Sequence, residues 1–244
     1  MQLMPLKSKS FTIYYLSEKA ITLEFGNQIE EKTSIRISQF HSKLKEFPFE
    51  GLLAVVPAYT TLSVFYDPLL VINSKRLSGL DCFERISNYL TELESREDRS
   101  MASESDLISI PVYYGGDKGP DLQAVADHTR LSREEIIRLH SSAAYKVYMI
   151  GFTPGFAYLG GMPEQLATPR KTTPAKTVPA GSIGIAGIQT GIYPLSSPGG
   201  WQIIGQTPIK LFDVNRAKPA LVKAGDIIKF SSIDLEEFNQ LKQS

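Results

Sequence analysis

The chain has 244 residues, with 26 Lys and Arg against 26 Asp and Glu, 42% apolar residues, 18 Gly, 15 Pro and one Cys. This is an ordinary globular composition: it argues against long disorder and against a dedicated nucleic-acid binder, and the length allows one large domain or two small ones. Cys82, being alone, forms no disulfide within the chain and builds no cysteine metal cluster, which points to a reducing compartment, the cytoplasm by default.

In chain order, the first signals are short β-rich runs. Phe11–Tyr15 and Ala20–Phe25 form one pair, Leu52–Val56 and Thr61–Tyr66 a second, each bounded by Gly, Pro or Asp. Between the pairs, Asn27–Phe47 predicts a helix: Ile29, Ile37, Phe40, Leu44 and Phe47 recur mostly at three- and four-residue steps, with Asn27 as N-cap. Leu77 to Arg96 predicts a second helix. Glu18 and Lys19 break what a signal peptide would need as its apolar core, and the longest apolar stretch, Leu52–Tyr59, contains Pro57 and falls far short of the roughly 18 residues of a membrane span.

The polar run Ser95–Asp106 reads as a linker, placing the domain boundary near residue 102. Beyond it, Leu107–Tyr114 predicts a strand ending at Gly115–Gly116. Asp121 opens one short helix, Ser132 with Glu135 forms a capping box for another, and Tyr145–Ile150 returns to strand. The reading is α+β: a small N-terminal α+β domain over residues 1–101, then a β domain over 102–244 that carries a helical hairpin. Leu122–His140 admits a rival reading as a helix-turn-helix with Arg133 and Arg138 facing DNA. Glu134 and Glu135 on the same helix, and the zero net charge, weigh against it.

Charge and glycine are unevenly spread. Residues 146–229 hold nine basic against three acidic side chains, and residues 151–208 hold 11 Gly and 8 Pro. The same stretch contains enough aromatic and branched residues for short strands joined by fixed turns. No P-loop, no GxGxxG between strand and helix and no GxSxG elbow occurs. His41, His128 and His140 fall on predicted helices and read as surface or helix-end residues rather than metal ligands; Cys82 reads as a buried or inert thiol. No metal site and no catalytic base is assigned.

What remains is Gly151–Pro208. Glycines let backbone approach a ligand, Arg and Lys supply charge, and aromatics supply walls. Arg170 or Lys176 can clamp a carboxylate or phosphate; Gln189, Thr190 and Tyr193 can orient polar groups; Phe152, Phe156 and Trp201 can form an apolar floor. The turns of a barrel use Gly and Pro as well, so composition alone leaves both readings open.

Along these residues the chain resembles the allophanate hydrolase subunit 1 or KipI family, which includes the B subunit of bacterial 5-oxoprolinase. The resemblance rests on AITLEFG (20–26), VVPAY (55–59), FYDP (65–68), Tyr113–Gly116 with Pro120–Asp121, VYMIGFTPGFAYLGG (147–161), ATPR (167–170), VPAGSIGIAG (178–187), QTGIYP (189–194) and SPGGWQIIG (197–205). It implies a C-terminal cyclophilin-like β-barrel, with no implied prolyl isomerase activity. It further implies activation of 5-oxoproline with ATP, magnesium entering with the nucleotide, for opening to L-glutamate. The partners implied are a second cyclophilin-like subunit of the C type and an A-type subunit of the LamB/YcsF kind. Two other branches are a histidine-kinase inhibitor, a binding protein, and the carboxyltransferase part of urea carboxylase.

On this resemblance the expected site comprises Arg170 as anion clamp, Gln189, Thr190 and Tyr193 as orienting groups, Gly199 and Gly200 for close backbone approach, Trp201 as an apolar wall and Lys176 toward the nucleotide. Two positions depart from the family pattern: Ala175 and Gln206 stand where arginines are usual, and a neighbouring Lys176 does not reproduce a guanidinium fork.

Overall fold

The computed structural model describes residues 4–28, 30–96 and 105–243. The chain divides into two compact units, Met1–Glu104 and Ser105–Ser244. Most of the run expected as a linker, residues 97–104, lies outside the described residues.

The first unit is a five-stranded antiparallel sheet backed by helices. Strands β1 (Leu6–Lys7), β2 (Thr12–Ser17), β3 (Ala20–Glu24), β4 (Leu52–Pro57) and β5 (Thr61–Tyr66) lie in the order β1-β2-β3-β5-β4. The alternation expected of a half-covered sheet is present: Ile13, Ile21, Leu23, Leu62, Val64 and Tyr66 turn to one face and are buried. Against them pack Ile37, Phe40 and Leu44 of helix α1 (Glu31–Glu46) and Phe83, Ile86, Leu90 and Leu93 of helix α3 (Cys82–Ser95).

Two helix boundaries and one additional helix differ from expectation. Helix α1 begins with Glu30, not Asn27, in the N-cap position, with extended backbone and no side-chain capping hydrogen bond. Helix α3 begins at Cys82 rather than near Leu77. Asp81 caps it by accepting from the Glu84 amide at 2.8 Å, and Gly79, whose φ of +152° is not helical, interrupts the chain before it at a point where a side chain would strike the Arg85 amide. A short helix α2 (Pro68–Asn73) was not anticipated, although Asp67 capping Leu69 and Leu70, followed by Pro68 at the first helical position, is a start signal. Cys82 is half-buried, and burial pushes its thiol up, as an inert cysteine requires.

The second unit is a closed seven-stranded barrel in the order β10-β11-β8-β7-β14-β6-β13, which agrees with the cyclophilin-like barrel implied by the resemblance. Its strands are β6 (Leu107–Tyr114), β7 (Ala144–Ile150), β8 (Ala157–Gly160), β10 (Ser182–Ala186), β11 (Gln189–Ile192), β13 (Gln202–Gln206) and β14 (Ile227–Ser232); β14 runs parallel to β6 and antiparallel to β7. A separate ribbon pairs β9 (Ala175–Val178) with β12 (Ser197–Gly199).

Helices α4 (Leu122–Thr129) and α5 (Arg133–Ser142) lie between β6 and β7. They bury Leu122, Val125, Ala126 and Ile136 in the barrel core, and the capping box at Ser132 and Glu135 is formed. Arg133 donates to Gln123 at 2.6 Å, tying the two helices together over the barrel. The last helix, α6 (Leu235–Gln243), buries Phe238. Among the described residues no helix is long and apolar enough to cross a membrane.

His140 lies in the last turn of α5, as a helix-end residue should, but it is not at the surface. It is fully buried, stacked on Phe230 with centroids 4.7 Å apart, between the Tyr114 hydroxyl at 2.8 Å and the Thr190 hydroxyl at 3.0 Å. The sequence signal was its place on α5, four residues after the buried Ile136. His128 is exposed and His41 half-buried.

Candidate functional site

Strand alternation gives the barrel two faces, and the candidate site lies on the outer one. Phe156, Val178, Ala186, Tyr193, Trp201 and Ile203 form a second, smaller core there, covered by the β9–β12 ribbon. Phe156 is its centre: its ring centroid lies 4.7 Å from Tyr158, 5.1 Å from Tyr193 and 5.6 Å from Trp201, mostly in edge-on contacts. Gly191 permits this, since a side chain there would strike Phe156 and Trp201.

Arg170 sits on this aromatic base. Its guanidinium is 6.0 Å from the Trp201 ring centroid, within cation–π range, while the side chain remains exposed. The backbone on both sides of Arg170 is fixed. The Gln202 side chain donates to the Pro169 carbonyl at 3.0 Å, and the Lys171 amide donates to the Gly200 carbonyl at 2.7 Å. Lys171 also reaches Asp121 at 2.6 Å, and Asp121 accepts from the Ile203 amide at 2.7 Å. The guanidinium thus stands on a pinned backbone, facing water over an aromatic base.

Burial raises the phenols of Tyr158 and Tyr193 above their ordinary value; the positive charge of Arg170 pulls both the other way, as does a backbone hydrogen bond from Trp201 to Tyr193. Both are therefore neutral hydroxyls at pH 7.

The expected residues fall into two groups. Arg170, Tyr193, Gly199, Gly200 and Trp201 are brought together, though in altered roles. Trp201 is only 5% exposed and Tyr193 2%, so they support Arg170 from beneath instead of forming an open wall. The space beside Gly199 is taken by the Tyr193 hydroxyl, not left for a ligand, whereas Gly200 has no atom nearer than 3.6 Å where a Cβ would stand.

The others lie elsewhere. Thr190 is fully buried and points into the barrel interior, where its hydroxyl donates to the Gly184 carbonyl at 3.0 Å and meets His140. An intervening residue of opposite facing, Gly191, explains why: along β11 only alternate positions share the aromatic face. Gln189 is half-buried at the end of β11, paired with Ala186. Lys176 is exposed on β9. Among the described residues no three His, Cys, Asp or Glu side chains converge as metal ligands would.

Asp121 and Lys171 were missed as site residues. Lys171 directly follows Arg170, but nothing in the spacing reveals that Asp121, 50 positions earlier, reaches it. The two departures from the family pattern are also placed: Gln206 donates to the Ala180 carbonyl at 2.7 Å, and Ala175 packs against the aromatic cluster.

Residues 11–222 match the family described as carboxyltransferase domain, subdomain C and D. The chain is 40% identical over 233 residues to the 5-oxoprolinase B subunit of Bacillus subtilis (strain 168), covering 96% of this chain and 97% of that one. The chain belongs to the family of 5-oxoprolinase B subunits. A second B subunit, from Escherichia coli O157:H7, is 41% identical over 217 residues, 89% of this chain and 94% of its own. Among solved structures, the crystal structure of TTHA0988 superimposes with a TM-score of 0.74 at 35% identity, covering 88% of this chain; the match spans 40% of that longer chain. The barrel and the Arg170 loop of this B-subunit family member both reach into the residues matched by the carboxyltransferase description.

Proposed function

We propose that this chain is the B subunit of an ATP-dependent 5-oxoprolinase, activating the lactam of 5-oxoproline for ring opening to L-glutamate. The observation that carries this is the 40% identity, over nearly the whole of both chains, to a protein named as a 5-oxoprolinase B subunit. The reading is supported by the Arg170 receptor: 5-oxoproline is a carboxylate, and a guanidinium on a pinned loop binds a carboxylate through two parallel hydrogen bonds. Gly200 leaves room for close approach, and Trp201 and Tyr193 lie beneath Arg170; Gln189, at the end of β11, is assigned as an orienting amide that reaches the substrate from outside this cluster.

In this reading the chain binds and orients substrate, while ATP and its magnesium enter at the level of the complex. Lys176, exposed on β9, is the cation assigned to the nucleotide phosphates. The partners are a second cyclophilin-like subunit of the C type and an A-type subunit of the LamB/YcsF kind, and the chain alone is inactive. A cytoplasmic setting suits the unpaired Cys82.

The test is 5-oxoproline-dependent ATP hydrolysis, measured with the purified chain alone and then with both partner subunits. Activity only in the reconstituted complex supports the proposal; a stable complex that hydrolyses no ATP in response to 5-oxoproline sinks it.

A further inference from the structure

The loop Gly151–Phe156 holds a conformation that its sequence should avoid. Phe152 has φ +67°, and the Thr153 amide donates across it to the Gly151 carbonyl at 2.8 Å. That is a γ-turn with positive φ at its centre, the rarer and more strained of the two forms, and for a bulky residue a steric outlier. Glycine would make the same turn without strain.

The surroundings enforce it. The Gly151 amide donates to the Phe156 carbonyl at 3.1 Å and the Phe156 amide to the Thr153 carbonyl at 3.0 Å, closing the loop. Gly155, itself at φ +82°, lies against Phe212.

Packing does not account for the ring. Phe152 is 64% exposed, and its ring contact is an edge-on one with Phe156 at 5.5 Å. A phenyl ring held in water on a strained turn runs against both its backbone preference and the hydrophobic effect. Its position suggests the compensation. Phe156, Tyr158 and Trp201 form a triangle of rings with centroids 4.7, 5.6 and 6.1 Å apart. Phe152 adjoins one corner of that triangle and the Arg170 guanidinium another. A cation and an exposed apolar ring thus border the same aromatic cluster.

We propose that Phe152 is a specificity-determining residue that packs on the ring of a small cyclic carboxylate whose carboxyl group is held by Arg170. This rests on the anion-clamp reading of Arg170 given above and adds what selects the body of the ligand. A carboxylate without a ring gains nothing from Phe152; a ring covered by it loses water-exposed apolar surface on both sides.

Trp201 is the only tryptophan in the chain and lies under Arg170, so its emission reports occupancy of the patch. The full chain is titrated with acetate, cyclopentanecarboxylate and 5-oxoproline, as wild type, Phe152→Gly and Phe152→Tyr. The wild type should bind both cyclic acids more tightly than acetate. Phe152→Gly should weaken the cyclic acids about tenfold and leave acetate unchanged, with Tm unchanged or raised because the strain is released. Phe152→Tyr should bind as wild type.

Equal binding of cyclic acids and acetate, no response of Trp201 to any of the three, or an unchanged ring preference in Phe152→Gly would each overturn the inference. So would a lowered Tm with unchanged binding, which makes the ring structural. Retained ligand binding with loss of complex formation overturns it too, assigning Phe152 to a protein contact. If the complex hydrolyses no ATP with 5-oxoproline but Phe152→Gly still loses cyclopentanecarboxylate, the substrate reading fails and this inference stands. If the complex turns over 5-oxoproline and Phe152→Gly leaves its KM unchanged, the substrate reading stands and this inference fails.

Discussion

The Nε2 of His140 lies 3.0 Å from the Thr190 hydroxyl, and the direction of that hydrogen bond is determined by what Thr190 does next. Thr190 donates its proton to the Gly184 carbonyl, so it accepts from Nε2–H, and the Nδ1 of the neutral ring accepts from the Tyr114 hydroxyl. The chain of donors runs from Tyr114 through His140 and Thr190 to Gly184, with no place for a second proton on the imidazole.

This makes the barrel sensitive to mild acid. Burial pushes His140 down to about 3, and burial with the nearby Lys45 pushes His41 down to about 4. The unfolded chain binds protons at histidine from about pH 6.5 downward while the folded chain does not, so stability falls with pH across that window. Denaturant unfolding between pH 7 and 5 should show a decline of up to about 1.4 kcal/mol per pH unit attributable to His140. The carboxylates held low by lysines, Asp106 by Lys223 and Asp213 by Lys210, enter only below about pH 4. A stability that is flat from pH 7 to 5 would contradict the buried neutral ring.

Removing the Arg170 guanidinium should act on substrate and spare the nucleotide. In the reconstituted complex, Arg170→Ala is expected to lower kcat/KM for 5-oxoproline about 10- to 100-fold, the range for losing a charge-assisted hydrogen bond. The KM for ATP should not move. Arg170→Lys should recover only part of the loss, because an ammonium lacks the fork. Equal effects on both substrates would remove Arg170 from the carboxylate.

Much of this architecture was legible in the sequence, and the parts that were not share a cause. Leu107–Tyr114 and the Ser132–Glu135 capping box came out as expected, because alternation and caps are local signals. Arg170, Tyr193 and Trp201, singled out by residue type, also come together in the fold. Which way a side chain faces was not legible, since Thr190 and Tyr193 sit only three residues apart yet point to opposite sides of the barrel wall. The Asp121–Lys171 pair and the His140–Thr190 hydrogen bond depend on chain segments far apart in sequence, which periodicity cannot bring together.

The Gly199 position offers a test of close packing. A methyl group there would lie 2.5 Å from the Tyr193 hydroxyl, so Gly199→Ala should destabilise by about 1–3 kcal/mol. Combining it with Tyr193→Phe, which deletes the clashing oxygen, should give less than the sum of the two single effects. Additive losses in urea unfolding would mean that the two residues do not press on each other.

Asp121 should matter more than the ion pair it makes. Asp121→Ala leaves the Ile203 amide and the Lys171 ammonium without their acceptor and is expected to cost about 1–3 kcal/mol. Lys171→Met, which keeps the aliphatic stem and the Asp121–Ile203 bond, should cost no more than about 1 kcal/mol. Equal losses would place the stabilisation in the ion pair instead.

The position of β14 between β6 and β7 has a consequence for how the protein comes into being. Strand β6 is synthesised more than 110 residues before β14, and its seam with β7 stays open until Ile227–Ser232 arrives. During translation, the first unit can complete its sheet while the growing barrel still exposes two unsatisfied strand edges. The last strand is thus the barrel's closing piece: only when Ile227–Ser232 has left the ribosome do both edges find their partner.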